Sequence, residues 1–326
     1  MNILITSASR KVSLIKAFKK ALTQEGGGEV IATDINPLSA SFCFSDKAII
    51  IPPSNDSSFI STLLSLCHKL KIKLIVPTRD EELLVFSENI DKFVAIGTAV
   101  MVSSKETIAI CSDKLKFASF CIANGIPVPK TFGNNDLRDG EMHFPLIIKS
   151  RFSKGSKNVF RVSGMGELHC LLSYVQDPLI QEYIEGREYT IDIFADFEGR
   201  VISVVPRLRL SVFGGESFIG KTVKDYSLID AAIHLAAKLN LIGHGTIQCF
   251  CNRGDIRFIE VNPRFGGGAA LGFSAGANTP LYLIQLLKGK EVKSQIGNFI
   301  DGHIMLRYTS DKFLSENEIR SLVTYV

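Results

Sequence analysis

The sequence predicts an α/β domain built on a parallel sheet, followed by an α+β domain that carries a small lid subdomain. Three observations predict it. Over the first hundred residues short apolar runs alternate with helical patterns, as in a parallel sheet covered on both faces. Beyond about Ser103 that alternation gives way to strands joined by tight turns. The length, 326 residues, suits two domains or three small ones. The expected boundaries are 1–104 and 105–326, with the lid at about 130–180.

Each element of the first domain has a local reason. "NILIT" (2–6) is a buried strand. The helix after it, about 10–22, gathers Val12, Leu14, Ile15, Phe18 and Leu22 on one face. "VIATD" (30–34), "AIIIP" (48–52) and "LIVPT" (74–78) are further buried strands, with the helix "FISTLLSLCHKL" between the last two. Ligands of such sheets gather at strand carboxyl ends, here 7–10, 34–37 and 78–82.

In the second domain "SSKETIAICSDKLKFASFCIANGIPVPKTF" reads as two helices closed by Gly125 and two prolines. "FPLIIKS" (144–150) is a strand, and "RFSKGSKNVF" is a Gly/Ser/Lys loop entering another. "LIQEYIEGREYTIDIFAD" (179–196) is strand, turn at 185–186, strand. "VISVVPRLRLS" precedes the helix "SLIDAAIHLAAKLNL", which stops near Gly243, and "GTIQCFCNRGDIRFIEVNP" (245–263) is a hairpin.

Composition excludes several classes. With 46% apolar and 21% charged residues the chain is an ordinary soluble globular type. A net charge of +4 does not require nucleic acid, yet would not repel an anionic nucleotide. "MNILITSASRKV" meets Arg10 and Lys11 too early for a secretory signal. The uncharged run 265–287 holds glycines, Asn278 and Pro280, which predicts a loop leading into a helix rather than a membrane span. Seven cysteines without a CxxC pair predict a reduced, cytoplasmic protein. Cys249 and Cys251 read as small buried side chains on one strand face. The six histidines lack metal-ligand spacing.

The chemistry concentrates in "FIEVNPRFGGG" (258–268). Alternation puts Phe258, Glu260 and Asn262 on one strand face and Ile259 and Val261 on the other. A carboxylate and an amide carbonyl two residues apart are hard oxygen donors that suit Mg²⁺. A three-residue turn at 253–255 would put Gln248 of the partner strand opposite Glu260 as a third donor. Arg264 emerges just past Pro263, where it can meet negative charge, and the glycines let backbone N–H groups approach a ligand.

This hairpin resembles the metal-binding hairpin of ATP-grasp ligases. Its Gln…Glu-x-Asn-x-Arg form is closer to the carbamoyl-phosphate synthase large subunit than to D-alanine–D-alanine ligase, which has Asp in place of Gln248. The first hundred residues resemble the Rossmann-like pre-ATP-grasp domain of such proteins and of the lysine ligase of pyrrolysine biosynthesis. The resemblance covers nearly the whole chain, but with a single ATP-grasp unit. It implies ATP with Mg²⁺ or Mn²⁺, with Gln248, Glu260 and Asn262 as metal ligands. It further implies Lys114 and Lys149 on the phosphates, and Gln181, Glu182 and Ile184 around adenine. Glu188 would meet the ribose, and Arg264 with Lys149 the transferring phosphoryl group. "RFSKGSKNVF", with Lys154 and Lys157, would be the phosphate-covering lid.

Under that resemblance the reaction is ADP-forming C–N ligation through an acyl phosphate, on small-molecule carboxylate and amine substrates with an amino acid among them. Nucleic acid and membrane are not expected partners, and the resemblance allows a homodimer. For the substrate, Arg207 and Arg209 alternate onto one strand face where two guanidinium forks could hold a carboxylate. Glu216 could hold an ammonium group, and Asp80 and Glu81 stand at a strand's carboxyl end. Competing readings are a carbamoyl-phosphate synthase-like subunit phosphorylating bicarbonate or carbamate, a non-catalytic ATP-binding module, and an NAD(P)-dependent oxidoreductase. Against the last, "ITSASRKV" lacks the G-x-G-x-x-G turn.

Overall fold

The computed structural model describes residues 1–133, 142–152, 155 and 158–326. Lys154 and Lys157 of the expected lid lie outside the described residues. The first domain runs β1 (Asn2–Ile5), α1 (Val12–Gln24), β2 (Val30–Asp34), a 3-10 turn (Ala40–Phe44), β3 (Lys47–Ile50) and α2 (Phe59–Leu70). It continues through β4 (Ile72–Val76), α3 (Asp80–Glu88), α4 (Ile90–Ala95) and β5 (Ala99–Val100). All its strand pairs are parallel. Strand alternation divides its core. Ile3 and Ile5 pack under α1 with Leu14, Ile15 and Phe18. Leu4 faces the other way, toward Phe59, Leu63 and Leu66 of α2. Each such buried side chain contributes about 1.5–3 kcal/mol against exposure.

Helices α5 (Lys105–Cys111) and α6 (Lys114–Ala123) lead into a small antiparallel sheet. It is built from β6 (Thr131–Phe132), β7 (Leu146–Ser150), β8 (Val159–Val162) and, after α7 (Met165–Tyr174), β9 (Pro178–Glu182). Its order is β6-β9-β7-β8, with Leu146, Ile148 and Ile180 packed on Leu168 of α7.

The larger sheet comprises β10 (Arg187–Ala195), β11 (Val201–Phe213), β12 (Glu216–Thr222), then, after α8 (Tyr226–Lys238), β13 (Gly243–Asn252) and β14 (Asp255–Asn262). Helices α9 (Ala269–Ser274) and α10 (Thr279–Leu287) precede its edge strand β15 (Ile304–Leu306). The order is β14-β13-β10-β11-β12-β15. One face carries Tyr189, Ile191, Ile193, Ile247 and Val261 into a core beneath α6 and α8. The alternate residues make a polar face, and the site is built there.

Two features differ from the sequence reading. β12 pairs with β11 across a turn at Gly214 and Gly215, a strand that the sequence reading did not place between "VISVVPRLRLS" and the helix. After α11 (Glu316–Leu322), β16 (Val323–Tyr325) returns to the first sheet and pairs parallel with β3. The sheet order there is β16-β3-β2-β1-β4-β5.

Candidate functional site

Gln248 lies opposite Glu260, but not through a three-residue turn. Asn252 pairs with Asp255, leaving a two-residue turn at Arg253 and Gly254 with φ of 49° and 91°. Positive φ at both positions is the primed turn that matches hairpin twist. That turn alone would align Gln248 with Ile259. A bulge at Ile259, where the register shifts between Gln248 and Cys249, moves Glu260 into place. The bulge also corrects the expected faces: Phe258 leaves the polar face and is buried with Val261 in the core. Glu260 and Asn262 stay half-buried on the polar side.

Their side chains form a chain of contacts. Asn262 Nδ2 donates to Glu260 Oε1 at 3.1 Å, and Arg264 Nη2 donates to Asn262 Oδ1 at 3.4 Å. The same Arg264 nitrogen donates to Asp80 Oδ2 at 2.6 Å, tying this strand end to the first turn of α3. Gln248 Oε1 instead accepts from Arg209 Nη1 at 3.1 Å, and Arg209 Nη1 also donates to Glu188 Oε1 at 2.8 Å. Burial raises the Glu188 carboxyl, Arg209 opposes this, and Glu260 adds to it. Glu188 and Glu260 therefore share one electrostatic neighbourhood.

Two lysines meet this group. Lys149 on β7 is 5% exposed. Burial pulls its ammonium down to about 8, against the attraction of Glu260 and with the repulsion of Lys114. Lys114 opens α6. Its helix cap, Asp113, accepts from Leu115 and Lys116 N–H at 3.0 and 3.2 Å. Asp113 also takes a two-pronged contact from Arg151, both prongs at 2.6 Å. Because Arg151 directly follows β7, that fork docks α6 beside the strand carrying Lys149. A cleft bounded by Asp80, Lys114, Glu260 and Asn262, with an apolar wall at Leu83 and Ile108, opens between the domains.

The expected adenine residues lie on the small sheet's edge and the crossing to the large one. Gln181 is buried and its Nε2 donates to Thr131 Oγ1 at 3.0 Å. Glu182 exchanges contacts with Lys130: its N–H donates to the Lys130 carbonyl at 2.9 Å, and its Oε1 accepts from Lys130 N–H at 2.8 Å. Ile184 is half-buried on the crossing. At Gly186 a Cβ would come within 2.9 Å of the Cys251 carbonyl, so the crossing lies flat on β13.

The expected substrate residues are redistributed. Arg207 is 2% exposed and forks onto Asp192 at 2.7 and 2.8 Å, so it is committed inside the sheet. Arg209 is taken by Glu188, Gln248 and the Gly215 carbonyl. The two arginines share a face, but each has its own carboxylate, and no joint fork remains for a substrate. Glu216 accepts from Arg307 at 2.5 Å. Glu81 is exposed and pairs with Arg79 at 3.2 Å, away from the cleft. Asp80 faces the site through Arg264. Space is tight along glycines 266–268: a Cβ on Gly268 would come within 2.4 Å of the buried Arg207, one on Gly266 within 2.7 Å of Thr246, and one on Gly267 within 2.5 Å of the movable end of Glu216.

Sequence reasoning missed Lys11 and Arg307, and reached Glu82 only as the last residue of the strand end 78–82. Lys11 lies in the field of Arg264, Glu216, Asp80 and Glu82, and burial first, then Arg264, lowers it to about 8. Its only sequence signal was its place after β1, at a strand carboxyl end.

Glu260 and Asn262 touch each other and fit a hard divalent cation. The Gln248 oxygen is already engaged by Arg209, which leaves it one lone pair with which to join them. Among the described residues no group of three or more His, Cys, Asp or Glu side chains could hold a metal.

Two family models match the chain. Residues 3–101 match "PylC-like, N-terminal domain", and 174–308 match "ATP-grasp in the biosynthetic pathway with Ter operon". The carbamoyl phosphate synthase large chain of Thermoanaerobacter sp. is 25% identical over 221 residues, covering 60% of this chain and 20% of that protein. The chain thus spans about a fifth of this relative's length. Among solved structures, the 2-oxoglutarate carboxylase biotin carboxylase domain of Hydrogenobacter thermophilus, in complex with MgADP and bicarbonate, superposes with a TM-score of 0.75. It is 14% identical and covers 93% of this chain and 73% of that one. The L-amino acid ligase of Bacillus licheniformis superposes at 0.68 with 16% identity, covering 88% and 74%. No helix among the described residues is long and apolar enough to cross a membrane.

Proposed function

We propose that this chain, an ATP-grasp protein with a PylC-like N-terminal domain, is an ADP-forming ligase that joins a small-molecule carboxylate to an amine. An amino acid is among the substrates. One observation carries the reading: Lys149, buried and without a hydrogen bond among the described residues, shares one field with Lys114 and with Glu260. A buried ammonium repelled by a second, half-buried one is relieved by a polyanion, and the triphosphate of ATP is that polyanion.

Chemically, a substrate carboxylate oxygen attacks the γ-phosphorus and ADP leaves. The amine then attacks the acyl carbon and phosphate leaves. Both partners of the first step are anionic, so the protein's task is to position them and neutralise charge. Lys114 and Lys149 hold the phosphates, Glu188 faces the ribose, and Gln181, Glu182 and Ile184 border the adenine. Glu260 and Asn262 would hold Mg²⁺, which supplies charge neutralisation on the phosphate oxygens. Arg264, fixed by Asp80, stands where the transferring phosphoryl passes.

The test is ADP release by the purified protein with MgATP across pairs of amino acids. ADP and phosphate are expected with one pair and background with the rest. AMP and pyrophosphate would overturn the acyl-phosphate route. ADP release driven by bicarbonate alone would favour the carbamoyl-phosphate synthase-like reading.

A further inference from the structure

We propose that His244 is a positioning residue for the phosphoryl step: it fixes Phe265 and, through the Phe265 backbone, the guanidinium of Arg264. The proposal rests on the ligase reading and adds to it the support that keeps Arg264 in place. His244, Thr246 and Gln248 alternate along β13 onto the polar face of the sheet. His244 is 1% exposed and stacks on Phe265, with ring centroids 4.2 Å apart and planes 18° from parallel. Phe18 and Phe273 also meet Phe265, but at 83° and 75°. Among the described residues His244 alone offers that ring a parallel face.

The stack reaches the site through one carbonyl. Phe265 directly follows Arg264, and its carbonyl accepts from Arg264 Nη1 at 3.3 Å. The same guanidinium donates through Nη2 to Asp80 at 2.6 Å and to Asn262 at 3.4 Å. Asp80 thus restrains it from the first domain, and the Phe265 carbonyl restrains it from the sheet. The backbone on either side has ties of its own. Thr246 Oγ1 donates to the Arg264 carbonyl at 3.3 Å, and Arg307 donates to the Gly267 carbonyl. Between those ties the Phe265 peptide runs into glycine, where the chain turns easily. Phe265 is the only residue of 265–268 with a side chain that can anchor it. A ring held face to face settles which way that carbonyl points, and so where Arg264 rests.

Stability alone does not account for a histidine here. Neither ring nitrogen has a hydrogen bond among the described residues. Nε2 stands 3.7 Å from Asp192 Oδ1, beyond hydrogen-bonding reach, and both oxygens of Asp192 are taken by Arg207 at 2.7 and 2.8 Å. The imidazole carries the cost of unpaired polar atoms, and what it contributes is its flat face. Phe273 stands edge-on to the same imidazole at 6.3 Å and 72°, so the ring is held as well as holding. A face of this kind shifts the population of the stacked geometry by roughly twofold to tenfold.

The test is the reactivity of Arg264. The full chain is treated with limiting phenylglyoxal, which attacks guanidinium groups, and modification at each arginine is read by mass spectrometry. In the wild type Arg264 should react slowly beside the exposed Arg79. His244→Leu should raise the Arg264 rate by roughly twofold to tenfold. Arg79 should not change, and the buried Arg207 and Arg209 should stay unreactive. His244→Phe, which keeps an aromatic face against Phe265, should remain near the wild type. An unchanged Arg264 in His244→Leu, Arg207 and Arg209 reacting alongside it, or equal gains in the Leu and Phe variants would each overturn the proposal. MgATP binding, measured by calorimetry on the same preparations, keeps the two readings apart. If ATP does not bind the wild type, the ligase reading is wrong, and the arginine rates still judge the stack. In turnover with the pair that releases ADP, His244→Leu should lower kcat by a similar factor and leave the KM for ATP unchanged. In an Arg264→Ala background it should cost nothing further, because a residue that acts through Arg264 has nothing left to act on. A further loss there, or a raised KM for ATP at unchanged kcat, would mark His244 as merely structural.

Discussion

Arg264 donates to Asp80 across 2.6 Å, joining the end of β14 to the first residue of α3. The contact crosses between the domains and holds the guanidinium beside Asn262, which lines the cleft with Glu260 and Asp80. It also gives Arg264 a charge partner that the phosphoryl group does not have to supply.

Arg264 carries the larger share of rate. Arg264→Ala is expected to lower kcat by about a hundredfold to a thousandfold. Asp80→Asn should cost less, because the Asn262 and Phe265 oxygens still hold the guanidinium at 3.4 and 3.3 Å. The double variant should resemble Arg264→Ala alone. Additive losses in steady-state kinetics would show that Asp80 acts on its own account.

Among the expected metal ligands the structure predicts an order. Glu260→Gln removes the only charged donor of the set and should lower kcat by about a hundredfold or more, with a raised Mg²⁺ requirement. Gln248→Ala should be milder, since the Gln248 oxygen is engaged by Arg209 at 3.1 Å. Titrating MgCl₂ at saturating ATP separates the two. A Gln248 variant as impaired as Glu260→Gln would mean that the amide turns to the metal when nucleotide binds.

Much of this was legible in the sequence, and the failures have identifiable causes. Alternation put Glu260 and Asn262 on one strand face, and the hairpin pairing added Gln248; that Glu188 and Arg209 share this face follows only from the strand order. Alternation could not locate the bulge at Ile259, because a bulge has no residue signature, and so it misassigned Phe258. Nor could it pair the arginines. Asp192 and Glu188 become the partners of Arg207 and Arg209 only once β10 is known to lie beside β11. Arg307 was invisible for a related reason: it meets Glu216 and Gly267 from an element distant in sequence.

Lys149 predicts a pH dependence. In the free protein burial lowers it to about 8. Bound phosphate favours the ammonium and raises that value. Below the free value the lysine is charged in both states and affinity is flat. Above it, binding must take up a proton, so affinity for ATP falls by up to about tenfold per pH unit until the bound value is reached. Calorimetry between about pH 7 and pH 9.5 tests this, with net proton uptake visible in buffers of different ionisation enthalpy. Lys149→Arg keeps the charge and should flatten the profile. A wild-type profile that stays flat would place Lys149 off the phosphates.

Arg207 is the residue whose role changed most between sequence and structure, and its substitution separates the two roles. The Arg207–Asp192 pair is buried at both ends, with 2% and 5% side-chain exposure. The Asp192 carboxyl is held at about 2: burial pushes it up, but Arg207 and then His244 outweigh that. Arg207→Met leaves the Asp192 carboxylate uncompensated inside the sheet, a loss of about 3–5 kcal/mol in stability. Asp192→Asn in the same chain removes the stranded charge and should recover part of that loss, although the single Asp192→Asn variant also destabilises. Denaturant unfolding of the four proteins gives the coupling directly. A substrate-binding Arg207 predicts the reverse: a raised KM for the amino acid with little change in stability, and no rescue by Asp192→Asn. The two-pronged contact at 2.7 and 2.8 Å favours the stability outcome, because a guanidinium already seated on a buried carboxylate has little left to offer a ligand.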